Sequence, residues 1–394
     1  MSQLWSEPAA SSLFADEQVL PEIDPAYAGP RVYAPRKPQA TVLYKLVQDN
    51  LQTWLATRRE ACLDDDPIPP YVETAFRSYL RCGIWGAGLV KFACPNHSDE
   101  ALFVALSCKT RGLCPSCGAK HMAKTALQLE QTVLPRVPYR QWVISFPKRV
   151  RYFLQRDPRR FRAVLRIAMR AIESAIAQRC EQAPRGARVA AVLFRQQFGA
   201  SLNVHHHGHF VVSDGVYALD EDGGLTFYDR DLPLSEADLS ALTQTIRTRV
   251  LRHLVRHGCL EPDDAKQMRS WDHHGGFSLD ASVHIADWDR AGLARLCRYC
   301  ARHPFAKGRL SRQGQSRVVY QLPKPDVDGR TALVLEPLEL LDRLAALIVP
   351  PRHHRHSYWG RRWHHTAISE GIGNPAAPPE GVVAAALRRS RTHK

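Results

Sequence analysis

Residues 188–197, RVAAVLFRQQ, and 201–219, SLNVHHHGHFVVSDGVYAL, decide how this chain folds. Both runs are rich in β-branched and aromatic residues, and the Phe198-Gly199 step between them reads as the join of two strands. In the second run a period of two sets His205, His207 and His209 on one face and His206 on the other. Two or three imidazoles on one face of a rigid strand can coordinate a divalent cation that stays open to a phosphate. Phe210, Val211 and Val212 then carry the strand into the interior. Polar rings there are costly without partners, which weighs against a histidine-rich surface strand or an adventitious metal site.

Working outward, QWVISF at 141–146 is a further strand, 159–182 a long helix, 236–257 a helix, 281–285 a strand and 288–301 a helix. That order gives an α+β class, an antiparallel sheet covered by helices, over 135–350. Ahead of it, residues 1–38 form a proline-rich, disordered arm, and 39–134 a helical and zinc-binding DNA-binding domain. Leu43, Leu46, Val47 and Leu51 mark its first helix, which a break at Pro67, Pro69 and Pro70 ends. Residues 351–394 make a basic, partly disordered tail suited to phosphate contacts.

The chain has 394 residues, 44% of them hydrophobic, enough for a sizeable core in two or three domains. Its 54 Lys and Arg against 39 Asp and Glu give a net charge of +15, which suits a polyanionic partner. No run is apolar enough for a membrane span, and the start, MSQLWSEPAASSLF, lacks a secretion signal, so we expect a soluble, cytoplasmic, nucleoid-associated protein. The ten cysteines concentrate between Cys82 and Cys117, which in a reducing compartment favours metal over disulfides.

Cys94-Pro-Asn-His97 and Cys114-Pro-Ser-Cys117, sixteen residues apart, supply two knuckles of the kind that closes a tetrahedral, structural zinc site. Cys82 and Cys108 lie nearby, and either can replace His97 as the fourth ligand. The alternative is a set of buried free thiols. In the helix DRAGLARLCRYCAR, at 289–302, Leu293, Leu296, Cys297 and Cys300 fall on one side. Arg295, Arg298 and Arg302 fall on the other, with Tyr299 on the border. A positioned phenol among guanidiniums suits attack on a phosphodiester, although an ordinary amphipathic helix would look the same. Cys297 and Cys300 are read as packing residues.

Six segments carry a resemblance: RCGIWGAGLVKFACPNH, SCKTRGLCPSCGAKHMAKTA, LPRVPYRQWVISFPKRVRY, FGASLNVHHHGHFVVSDGVY, FSLDASVHIADWDRAGLARLCRYCARHPFA and VLEPLELLDRLAAL. In this order they resemble the HUH-type transposases of the insertion-sequence-ninety-one family, particularly its single-tyrosine, ISCR-like branch. The family's His-hydrophobic-His pattern falls on His207 and His209, and its nucleophile on Tyr299. Gly208 replaces the usual bulky apolar residue, His303 a common proline, and Arg295 stands where two-tyrosine relatives carry their second tyrosine.

The resemblance implies an HUH endonuclease domain behind a small zinc module. It also implies Mg²⁺ or Mn²⁺ on His207, His209 and a third ligand, with His205, His273 or His274 as candidates. Tyr299 would attack single-stranded DNA at element ends, giving a 5′-phosphotyrosine intermediate for rolling-circle-type transposition into target DNA, with a homo-oligomer as a further expectation. Rival readings are a replication initiator or relaxase with the same chemistry, and a non-catalytic zinc-dependent DNA-binding protein.

Overall fold

The apolar stripes of the sequence become helix faces that close over sheets. The computed structural model describes residues 36–61, 67–93, 101–220, 224–314, 316–326 and 328–360. The expected arm and tail therefore fall largely outside the described residues. Helix α1 (Val42–Ala61) buries Leu43, Leu46, Val47, Leu51, Trp54 and Leu55 along one stripe. Helix α2 (Pro70–Leu80) opens on a proline, whose fixed φ and missing N–H suit a first turn. A hairpin of β1 (Leu89–Ala93) and β2 (Ala101–Ala105) follows, then α3 (Pro115–Gln128).

The central region runs β3 (Tyr139–Ser145), α4 (Lys148–Arg156), α5 (Pro158–Ala177), β4 (Ala191–Phe198) and β5 (Val204–Ser213). It continues through β6 (Gly215–Leu219), β7 (Leu225–Asp229), α6 (Glu236–Arg256), α7 (Pro262–Ser270), β8 (Ser278–Asp280), β9 (His284–Ile285) and α8 (Arg290–Cys300). Then come β10 (Leu310–Gln313), β11 (Arg317–Gln321), β12 (Ala332–Leu335), α9 (Pro337–Ala346) and β13 (His356–Trp359). The strand expected at 281–285 is only the two-residue β9, and the second strand run ends at Ser213, beyond which β6 leaves to pair with β7.

Among the described residues the main sheet has six strands in the order β13-β4-β5-β3-β8, with β9 also on β3, all antiparallel. The histidine strand β5 is central: His209 lies opposite Val143 and Phe194, and His207 opposite Ser145 and Gln196. One face, with Trp142, Ile144, Leu193, Phe210 and Val212, packs under α4, α5, α6 and α7. The other, with Tyr139, Val192, Phe194 and Val211, packs under α8 and the end of α3. The fold class is thus α+β, as the strand and helix order implied.

A third core joins the two ends of the described chain. Leu43, Leu51, Phe76 and Leu113 share it with Leu310, Val318, Tyr320, Leu340 and Leu344. Residues 310–348, read as part of the sheet domain from sequence, therefore pack with the N-terminal helices. β13, from the stretch read as tail, forms the sheet edge on β4.

Candidate active site and metal centre

The alternation of β5 does what period two requires. His206 points with Phe210 toward α5, its ring edge-on to Phe161 at 5.0 Å between centroids. His205, His207 and His209 follow one another along the opposite face, with ring centroids 5.2 and 5.0 Å apart. Burial holds His209 at about 3 and pushes His207 well below its ordinary range, with the neighbouring imidazoles and Arg302 adding to these shifts. Both rings are therefore neutral, the form that binds metal.

Their partners set which nitrogen is free. His207 Nδ1 donates to the His205 carbonyl at 3.0 Å, which leaves the Nε2 lone pair available. His209 Nδ1 lies 2.9 Å from the Gln141 side-chain amide; with that amide turned so that its oxygen accepts the Nδ1 proton, His209 Nε2 keeps its lone pair, buried and without a partner among the described residues. An orphaned imidazole nitrogen beside an available one is a donor pair that fits a divalent cation. His205 is held differently: the Arg151 guanidinium donates to its Nδ1, which puts the ring proton on Nε2. His274 lies by Ser240 on α6, which packs on the other face of the sheet. Among the described residues, no third His, Cys, Asp or Glu ligand atom completes a cluster with His207 and His209.

Helix α8 lies across this face. Leu293, Leu296, Cys297 and Cys300 are buried beneath it, as its periodicity predicts. Tyr299 projects at the border, its ring edge-on to His209 with centroids 5.5 Å apart. The Arg302 guanidinium stacks over the Tyr299 ring at 4.6 Å and over Phe198 at 5.4 Å. Burial raises the phenol above its ordinary value, and Arg302 pulls against that shift. Arg295 is exposed beside Asp289 at 3.8 Å, and Arg298 has a buried Nε without a partner among the described residues.

The zinc-binding residues come together from three stretches of chain: the end of α2, the segment after β2 and the turn that opens α3. The Sγ atoms of Cys82, Cys108, Cys114 and Cys117 all lie within 4.8 Å of one another, a set that can hold one metal ion. Arg36 donates to Cys82 Sγ at 3.1 Å and the Cys108 backbone N–H does so at 3.4 Å, the outer support expected of metal thiolates. Four thiolates close a tetrahedral zinc site with no open position, so a zinc ion here is structural. Cys94 and His97 lie outside the described residues.

Two comparisons bear on these sites. Residues 50–146 match a family model described as "Transposase zinc-binding domain", and residues 190–367 match one described as "Putative transposase". The first spans the four-cysteine cluster, and the second spans both β5 and α8. The chain belongs to the zinc-binding transposases of the insertion-sequence-ninety-one type. No curated protein and no solved structure matches it.

In this transposase several supporting residues escaped the sequence reading. Gln141 on β3 orients His209, and Gln196 on β4 donates to the Cys300 carbonyl at 2.9 Å while accepting from Arg302 Nε at 3.3 Å. Both glutamines are buried, and an inward amide within an apolar strand was the available signal. Arg290 ties α8 to the chain after α3, bonding Glu130 at 3.0 Å and the Pro135 and Leu134 carbonyls at 3.1 and 3.0 Å. Asp214, in the DGV turn, is buried, yet Arg140 and Arg230 hold its carboxylate below the usual range against the effect of burial. No helix among the described residues is long and apolar enough to cross a membrane.

Proposed function

We propose that this transposase nicks and rejoins single-stranded DNA at element ends, with Tyr299 as nucleophile and a 5′-phosphotyrosine intermediate. The Tyr299 ring, 5.5 Å from that of His209, is the observation that carries the reading. Tyr299 Oη bonds to phosphorus, the bond from phosphorus to the 3′ oxygen breaks, and that oxygen leaves as a hydroxyl after taking a proton. The phosphodiester's energy is kept in the tyrosyl ester, so rejoining reverses the step. A free phenol ionises near pH about 10, and burial raises Tyr299 further, so the reaction needs help in removing the proton.

Arg302 gives part of that help by stabilising negative charge on the phenol and on the phosphate. Arg295 and Arg298 extend the same cationic helix face toward DNA. His207 and His209 would hold Mg²⁺ or Mn²⁺. When bound, such an ion polarises the scissile phosphate. Gln141 and the His205 carbonyl keep the two rings in place, and the zinc ion belongs to architecture.

Wild-type protein with Mn²⁺ and an element-end oligonucleotide should yield a covalent adduct on a denaturing gel. Tyr299→Phe should bind the same oligonucleotide and form none. Normal adduct with Tyr299→Phe would sink the assignment, and no wild-type adduct on any element-end strand would leave a zinc-dependent DNA-binding protein.

A further inference from the structure

A second cationic site lies where α5, β4 and the residues leading into β13 meet the zinc module. A cleft there is lined by Arg162, Arg195, Arg352, His353, His354 and Arg355, with Phe161 and Phe198 as its apolar walls. Among the described residues, no carboxylate lines it or pairs with these side chains. Their partners are backbone carbonyls: Arg195 Nε donates to His354 O at 2.9 Å, and Arg355 to Arg302 O at 2.8 Å. From the zinc module, Arg111 donates to His353 O at 2.6 Å, adding another cation behind the cleft.

So many guanidiniums in one concavity repel one another. Arg355 is pushed down to about 10 by burial and by Arg111, and Arg195 is lowered by burial and by Arg162. An anion relieves that crowding without rearranging the fold. The cleft is also joined to the reaction centre. Phe198 forms its wall and carries the Arg302 guanidinium at 5.4 Å, and the same guanidinium covers Tyr299 at 4.6 Å. Arg355 in turn holds the Arg302 carbonyl.

We propose that this cleft binds the phosphodiester backbone of the DNA strand flanking the scissile phosphate, so that the strand runs from Tyr299 past Phe198 into the arginine-lined concavity. The proposal rests on the strand-cleaving reading above, but its site was not foreseen among Arg295, Arg298 and Arg302. Guanidiniums supply charge-assisted bonds to successive phosphates, and the aromatic wall gives a base a face to stack on.

The test is a salt titration of binding to a 5′-labelled oligothymidylate, using the full chain loaded with zinc. Arg162 and Arg352 are exposed, so Arg162→Ala with Arg352→Ala should leave the fold intact. Each lost phosphate contact on a single strand should make the plot of log affinity against log salt shallower by about 0.7, so the double variant should lose about 1.4. The matching lysine pair should keep the wild-type slope, and Tyr299→Phe should not change it. As a second measurement, oligothymidylate should protect Arg162, Arg195 and Arg352 of the wild-type protein from phenylglyoxal.

An unchanged slope in the alanine pair, or equal modification of these arginines with and without the oligonucleotide, would overturn the proposal. Cleft-dependent binding without any covalent adduct would leave this site standing and remove the cleavage reading. Adduct formation with an unchanged slope would do the reverse.

Discussion

Gly208 sits between the two candidate ligands His207 and His209, where the family pattern has a bulky apolar residue. Its even position points it toward α5, and a Cβ there would come within 2.6 Å of Leu165 Cδ2 and 3.2 Å of Ile144 Cγ2. The glycine thus lets α5 pack closely on the strand that carries the histidines. Gly208→Val should destabilise the protein by about 1–3 kcal/mol through overpacking, read as a lower urea midpoint. Adding Leu165→Ala should cost less than the sum of the two single changes, because each relieves the other; strict additivity would show that the two positions do not meet. Tyr299 brings a pH prediction at the same scale. Its phenol is raised above the ordinary value, so the reactive phenolate grows as pH rises, and single-turnover adduct formation should climb from neutral pH toward pH about 10. A rate flat across that range would show that phenol ionisation does not limit attack.

At the scale of elements, the nucleophile is aimed by the way α8 is held. Asp289 caps the helix, accepting from the Gly292 N–H at 2.7 Å, and Arg290 clamps it to the end of the zinc-module helix. Gly118, next to Cys117, lies under the ring of His303, so the metal-bearing turn abuts the residues that follow α8. Arg290→Lys keeps the charge and loses the planar fork. It should cut adduct formation by about tenfold or more while DNA affinity holds, since misplacing a reacting group acts on the chemical step. An equal fall in affinity would show that Arg290 acts on DNA binding instead. Cys114→Ser, or stripping zinc with a chelator, should lower the melting temperature and slow adduct formation even with Mn²⁺ in excess. Unchanged activity in the zinc-free protein would separate the module from the nucleophile helix.

For the whole molecule, the shared core of the N-terminal helices and residues 310–348 means that stability depends on contacts distant in sequence. Two half-buried histidines join that dependence to pH. His303 and His356 are held at about 4, by burial first and then by neighbouring cations including Arg355. Unfolded histidines titrate near about 6.5. Between those values the unfolded chain binds more protons than the folded one, so the stability is present above pH about 6.5 and is lost as pH falls toward about 4. Melting temperatures should drop across that window, and His356→Gln should make the drop less steep. A melting temperature level from neutral pH to about 4 would contradict the assignment.

How much of this was readable from sequence depended on the range of the interaction involved. Periodicity alone put His205, His207 and His209 on one face and buried the Leu293, Leu296, Cys297 and Cys300 side of α8, because backbone geometry fixes which neighbours share a face. Motif order supplied the transposase family. The tight Cys114-Pro-Ser-Cys117 turn marked a metal module, but Cys82 and Cys108 are isolated cysteines that converge only because α2 ends and the β1–β2 hairpin returns the chain beside α3. The same limit hid Gln141, Arg290 and the arginine cleft, whose residues come from α5, β4 and the approach to β13. Local order along the chain determined the faces and the reacting residue types; the packing of distant segments, driven by burial of their apolar sides, decided which of those residues meet.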